Sequence, residues 1–483
     1  MTSNSPDRAR NDVSRSLARA VVRSRHNDIP EHVHQEARRA LLNYMGCALG
    51  GADHPAVDRA LEGLGFMSGS PKAAILGRDE AVDMALAAFV NGISSHVHDY
   101  DDTTPSNYIH PSSPVASALF AYASTTPVKG EEFIHAFVLG FDAVTRIGDA
   151  TYPAHYQAGW HSTGSVGVFG AAIAISKLLK LNEERMLWAI GLAASQAAGL
   201  RDNFGSMTKS FHPGAAARSG IEAAMLAKVG FTTGITPLEG PRGFAAVTAN
   251  SRVDFTKVTD GLGKKFQLSG NTYKPFPCGI VIHPTIDACR ELHREGICAD
   301  SIERVELRVA PLVHDLCDIR RPEVGLQGKF SIYHAAAIGL VRGKGGLAEF
   351  TDDAIHDPHI SAMRSRVQAI PDTAVDEDSV HVTLLMKDGS RIERFLEASL
   401  GNLKRPLSDA QIEEKFRDQV SVLNPGRVES IIAQCRKIDA LDNVGDLVRL
   451  TVPDTVPKEA EHVAHTRRQQ ARHHIATKQE KDK

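Results

Sequence analysis

The sequence predicts a mainly α-helical protein: a large, discontinuous helical domain plus a smaller α+β lid domain. Three observations predict it. Segments rich in Ala, Gly, Leu, Ile and Val follow one another through the first half, with apolar residues at helical spacing. Near residue 270 the pattern turns to strand-like alternation with an Asp-Gly turn. Behind Ser408 helical spacing returns. The expected units are residues 1–268 (helical), 269–403 (α+β lid), 404–455 (helical again) and 456–483, a polar tail expected to be disordered.

Taken in order, a polar arm becomes helical near Val13–Val22, and Pro30 opens a helix that closes at Gly50-Gly51. Asp83 to Ser95 is a small-residue helix, and Pro114 to Ala123 another. Residues 131–148, 161–180, 183–200 and 214–229 repeat the pattern, and their small side chains permit close helix approach. CGIVIHPTIDACRELHREG reads as a helix, Ser301–Ala310 as a strand, Phe330–Val341 as a helix, and VHVTLLMKDGSRIERFLEA as a hairpin turning at Asp388-Gly389. SDAQIEEKFRDQV, with Ser408 as N-cap, is expected to pack back on the first domain.

Composition narrows the class. A net charge of -3 gives no general pull toward nucleic acid or an anionic membrane. No apolar run reaches the ~20 residues that cross a bilayer, and the polar N-terminus lacks a signal core, so a cytoplasmic protein is expected. Six scattered cysteines without a CxxC pair disfavour structural zinc or an iron–sulfur cluster.

The polar run HVHDYDDTTPSNYIHPSSP, His96 to Pro114, interrupts apolar helical sequence and must be a surface loop or a lined cavity. His96, His98, Asp99, Asp101, Asp102 and His110 admit three readings: a transition-metal site, a helix cap among polar loop residues, or an acid/base pocket. Four further motifs share one form, a polar cluster at a Gly/Pro turn against a small-residue helix. They are His161 in GWHSTGSVGVFGAA, Lys209 and His212 in a loop before an apolar helix, Lys274 and Cys278 in YKPFPCGIVIHP, and Ser331, Tyr333 and His334 at a helix start. Cys278 is expected to open the following helix, where a thiolate would be stabilised. A cavity supplied with His and Lys in this way suits a substrate with two or three carboxylates.

These stretches, with HDYDDTTPSNYIHPSSPVASAL and GSMTKSFHPGAAARSG, occur in the order and spacing of the MmgE/PrpD family, which the chain resembles over nearly its whole length. The family includes 2-methylcitrate dehydratase, cis-aconitate decarboxylase and iminodisuccinate epimerase. The resemblance implies a homodimer with no required metal or organic cofactor and a site between the domains lined by Asp99, His110, His161, Lys209, Lys274 and Tyr333. On that basis His161 and His110 are expected as the acid/base pair, Asp99 as their orienter, Tyr333 as hydrogen-bond donor or relay, and Lys209 and Lys274 as substrate-binding cations. His96 and His98 are left with structural roles. The expected activity is a dehydratase-like lyase on a small polycarboxylate. An epimerase or decarboxylase on the same pocket is the near alternative, and a non-catalytic carboxylate binder the distant one.

Overall fold

The computed structural model describes residues 12–420 and 423–453; the polar arm and the expected tail 456–483 lie outside them. The protein is mainly α. The first helices are α1 (Val13–Arg23), α2 (Glu31–Gly50), α3 (Pro55–Leu64), α4 (Met84–His96), α5 (Ser112–Ala123) and α6 (Gly130–Thr151). After them come α7 (Gly167–Leu178), α8 (Glu183–Ser195) and α9 (Thr208–Lys228). Local chemistry fixes several starts. Asp83 accepts the Leu86 N–H ahead of α4, and Asn182 accepts the Arg185 N–H ahead of α8.

The small residues do what their spacing promised. A Cβ on Gly92 of α4 would lie 2.5 Å from Gly214 Cα of α9, so the two backbones touch. That contact brings the C-terminus of α4 beside the first turn of α9. The expected 161–180 helix is split, with Ser162–Ser165 separate from α7, and α8 stops five residues short of 200. α9 begins six residues earlier than expected. Pro213 lies inside it, so Lys209 and His212 belong to its first turns and not to a loop. As the sixth residue of the helix Pro213 forgoes one i→i−4 bond, to the Lys209 carbonyl, and the helix continues through it.

The second part of the fold holds α10 (His283–Arg294), α11 (Ile332–Arg342) and a four-stranded sheet. Strand β1 (Ile302–Val309) pairs in parallel with β2 (Val367–Pro371) and antiparallel with β3 (Val380–Met386), which forms a hairpin with β4 (Arg391–Leu396). The order is β2-β1-β3-β4. Val380, Val382 and Leu384 face the core from β3, the alternation seen in the sequence. The parallel strand β2 was not foreseen. The Cys278 helix is also displaced: a short 3-10 turn at Ile280–Ile282 precedes α10, which starts at His283.

Two large apolar cores result among the described residues. One gathers Leu41, Phe89, Phe120 and Phe169 together with Ile412 and Phe416 from α12 (Asp409–Gln419); the other gathers Ile286, Leu307, Ile338 and Leu384. Ser408 caps α12 through a reciprocal capping box with Gln411. Among the described residues, no helix is long and apolar enough to cross a membrane.

Candidate active site

The segment between α4 and α5 lies between the two cores. Thr103 and Thr272 exchange backbone hydrogen bonds of 2.9 and 3.0 Å, which tie it to the segment that carries Lys274. At Asp99 the backbone enters the left-handed region, with φ of 52°. An aspartate tolerates that conformation better than most residues, at some strain. The turn aims the Asp99 carboxylate inward, where it is buried.

Asp99 Oδ1 accepts hydrogen bonds from Lys209 Nζ at 2.9 Å and Lys274 Nζ at 2.8 Å. Burial alone would raise this carboxyl, but the two ammonium groups outweigh it and hold it well below the usual range. Lys209 Nζ also reaches His96 Nε2 at 2.8 Å. Behind them Asp101 takes the Nδ1 side of two imidazoles, His96 at 2.8 Å and His110 at 3.2 Å. A carboxylate there fixes both rings with the proton on Nδ1, leaving each Nε2 as a lone pair. His96 Nε2 is occupied by Lys209, whereas His110 Nε2 lies 3.7 Å from Asp99 Oδ1. Burial pushes His96 down to about 4 and lowers His110 as well, so both are neutral bases at pH 7.

His161 precedes the Ser162–Ser165 turn, and its Nδ1 lies 2.8 Å from His212 Nδ1 on α9. One of the two rings must donate, so His212 decides whether His161 offers a proton or a lone pair at Nε2. Burial lowers both, His212 to about 4. His161, His110, Asp99, Lys209 and Lys274 line one inner cavity of about 40 Å³, closed by aromatic walls that include Phe204 and Phe330. Tyr108, Ile280 and Val281 line both this cavity and an outer groove of about 630 Å³. A groove of about 670 Å³ elsewhere contains Arg38, Arg39 and Arg436, but these already pair with Asp439, Asp409 and Glu413. It therefore lacks converging free groups.

His96, Asp99, Asp101 and His110 place donor atoms within 4.8 Å of one another, the metal reading of the sequence. The surroundings do not fit a cation. Lys209 occupies both His96 Nε2 and Asp99 Oδ1, and Lys274 adds a second ammonium to that oxygen.

Several expectations need correction. His96 is no bystander but bridges Asp101 and Lys209 at the centre of the cluster. His98 instead bonds the Gly50 carbonyl at 3.2 Å. Tyr333 does not line the cavity; its hydroxyl donates to Asp318 at 2.5 Å, because α11 turns it toward the loop after Cys317. Cys278 is fully buried before the helix and not on its N-terminus, and burial raises its thiol, so no thiolate is favoured. Asp102 caps no helix but accepts from Ser112 at 2.5 Å and Asn271 at 2.7 Å. Sequence reasoning named Asp101 as a candidate without its grip on two imidazoles, and missed Lys329 and Lys415 as contributors. Lys415 had a legible signal: it shares the buried face of α12 with Ile412, Phe416 and Gln419, an apolar position for a lysine.

Comparison with known proteins agrees with this architecture. The MmgE/PrpD N-terminal domain model matches residues 15–256, and the MmgE/PrpD C-terminal domain model matches residues 276–438. The chain is 26% identical to cis-aconitate decarboxylase of Mus musculus over 469 residues, covering 93% of this chain and 95% of that protein. It is 27% identical to cis-aconitate decarboxylase of Aspergillus terreus (strain NIH 2624 / FGSC A1156) over 483 residues, covering 93% and 98%. Similarity to 2-methylcitrate dehydratase of Cupriavidus necator is 23% over 437 residues, covering 82% and 87%.

Proposed function

Since the chain belongs to the MmgE/PrpD family, we propose that it is a cofactor-independent lyase acting on a small di- or tricarboxylic acid. The observation that carries this is the convergence of two ammonium groups and two neutral imidazoles on one buried cavity. Two ammonium groups that share the single carboxylate of Asp99 leave a positive charge in surplus, which favours an anionic substrate, and neutral imidazoles favour proton transfer. Lys329 and Lys415 add two more buried cations, each bonded to neutral acceptors.

Two reactions use such a site. In dehydration, a histidine Nε2 takes the proton next to a carboxylate, the electron pair forms the alkene, and a second group protonates the departing hydroxyl, which leaves as water. In decarboxylation, a C–C bond breaks and releases CO₂; its electron pair delocalises into a neighbouring carboxylate and a histidine returns a proton to carbon. In both, Lys209 and Lys274 stabilise the enediolate-like charge. The longer, more identical matches bear the name cis-aconitate decarboxylase, which favours decarboxylation over the dehydration expected first.

His110 is our candidate base. Protonation at Nε2 would turn its N–H toward Asp99, which would stabilise the imidazolium while Asp101 holds the ring. His161, tuned by His212, is the candidate acid. The experiment is NMR of citrate, methylcitrate, cis-aconitate and iminodisuccinate in D₂O with the purified protein. Loss of CO₂ with deuterium delivered to carbon, or loss of water, is expected. Deuterium exchange alone would indicate an epimerase, and no change in any acid would leave a binding protein. His161→Ala and His110→Ala should each lower turnover by roughly 10²–10⁴; unchanged turnover in His161→Ala would sink the assignment. A homodimer belongs to this reading and is tested by sedimentation.

A further inference from the structure

Three consecutive backbone carbonyls, those of His98, Asp99 and Tyr100, each accept a hydrogen bond from a different buried lysine. Lys329 Nζ binds His98 O at 3.0 Å, Lys274 Nζ binds Asp99 O at 3.2 Å, and Lys415 Nζ binds Tyr100 O at 2.6 Å. The lysines come from separate places: the turn before α11, the segment after Thr272, and α12. Lys329 also holds Pro277 O at 2.8 Å, and Lys415 holds Asn43 Oδ1 on α2 at 2.7 Å. Lys415 further lies 4.0 Å from the centre of the Tyr100 ring.

Burying an ammonium is costly, and neither Lys329 nor Lys415 has a carboxylate ion-pair partner among the described residues. A structural role would be met as well by an apolar side chain. What the two lysines share is the residue between their targets. Asp99 has a left-handed backbone, whose strain the surrounding contacts offset. Its carboxylate must face inward to meet Lys209 and Lys274 together.

We propose that Lys329 and Lys415 are positioning residues: with Lys274 they clamp the His98–Tyr100 carbonyls, fix Asp99 in its left-handed turn, and so set the distance between Asp99, Lys209 and His110. The clamp spans both apolar cores, so the site is correctly spaced only when α12 and the α+β part are docked. The catalytic consequence rests on the lyase reading above; the geometric one does not.

The test uses the full-length protein with Lys329→Met and Lys415→Met. Crystal structures of both should show Asp99 outside the left-handed region, or its carboxylate beyond hydrogen-bonding distance of Lys209. With cis-aconitate as the probe, kcat should fall by about 100-fold, the scale of a 1 Å misplacement. KM should change by less than roughly threefold. If Asp99 keeps its backbone and both lysine bonds in the two variants, the proposal is overturned. A raised KM with unchanged kcat also overturns it, since the lysines would then bind substrate. Should a methionine variant fail to fold, the corresponding Lys→Gln variant replaces it and is judged by the same two criteria. If wild-type protein does not turn over cis-aconitate, the lyase reading loses its favoured substrate while the crystal structures still decide the clamp.

Discussion

Between pH 4 and pH 7 the Asp102 carboxyl stays protonated in the folded protein, because burial, reinforced by the charge of Asp101, raises it to about 7 against the bonds from Ser112 and Asn271. Its Oδ1 is buried without a partner, as is Asn271 Oδ1. An unfolded chain releases that proton near pH 4. Asp102 therefore contributes stability below about pH 4, and this is lost progressively as pH rises to about 7. Asp102→Asn abolishes the titration. Its Tm relative to wild type should rise between pH 5 and pH 8, measured by calorimetry; a constant difference would refute the assignment. The residues most visible in the sequence were those whose polarity clashed with their neighbours: Asp99, His110, His161, Lys209 and Lys274. Asp101 stood in the same run, yet its grip on two imidazoles depends on α4 ending at His96 and the chain returning at His110. Tyr333 misled because a helix start fixes a position, not the side a hydroxyl faces.

At the scale of elements, α4 and α9 do the placing. Their contact at Gly92 and Gly214 sets His96 against Lys209, four and five residues away along the respective helices. Gly92→Ala and Gly214→Ala should each destabilise by about 1–3 kcal/mol through overpacking. They should also lower turnover in the protein that remains folded, because the helices must part; circular dichroism melts and kinetics on one sample separate the effects. Helices here were legible from spacing and caps. The early start of α9 was not, because Pro213 reads as a break unless the preceding residues are known to be helical. β2 was hidden too: a short parallel edge strand carries no turn signal linking it to its partner.

Across the whole molecule, four buried lysines (209, 274, 329 and 415) face two carboxylates held ionised, Asp99 and Asp101. Burial lowers Lys329 and Lys415 to about 8, so both remain mostly charged at pH 7. Such a surplus is relieved by a bound polyanion. Citrate should raise the Tm, approaching the equivalent of about 2.7 kcal/mol at a hundredfold excess over Kd, and its trimethyl ester should not. The return of the chain behind Ser408 was legible because Ile412 and Phe416 repeat at helical spacing. That α12 would also bring a charge to the back of the site was not, since the partner of Lys415 is a backbone oxygen some three hundred residues away.

The inner cavity, about 40 Å³, has room for a few water molecules and none for a six-carbon acid. Tyr108 stands between it and the outer groove, with its hydroxyl bonded to Glu377. Capture of a ligand must then wait for the protein. In a stopped-flow experiment the observed rate should level off with rising ligand concentration instead of climbing linearly, and Glu377→Gln, by loosening that bond, should raise the plateau. The ceiling on how fast this protein fills would be set by a tyrosine leaving its partner rather than by diffusion.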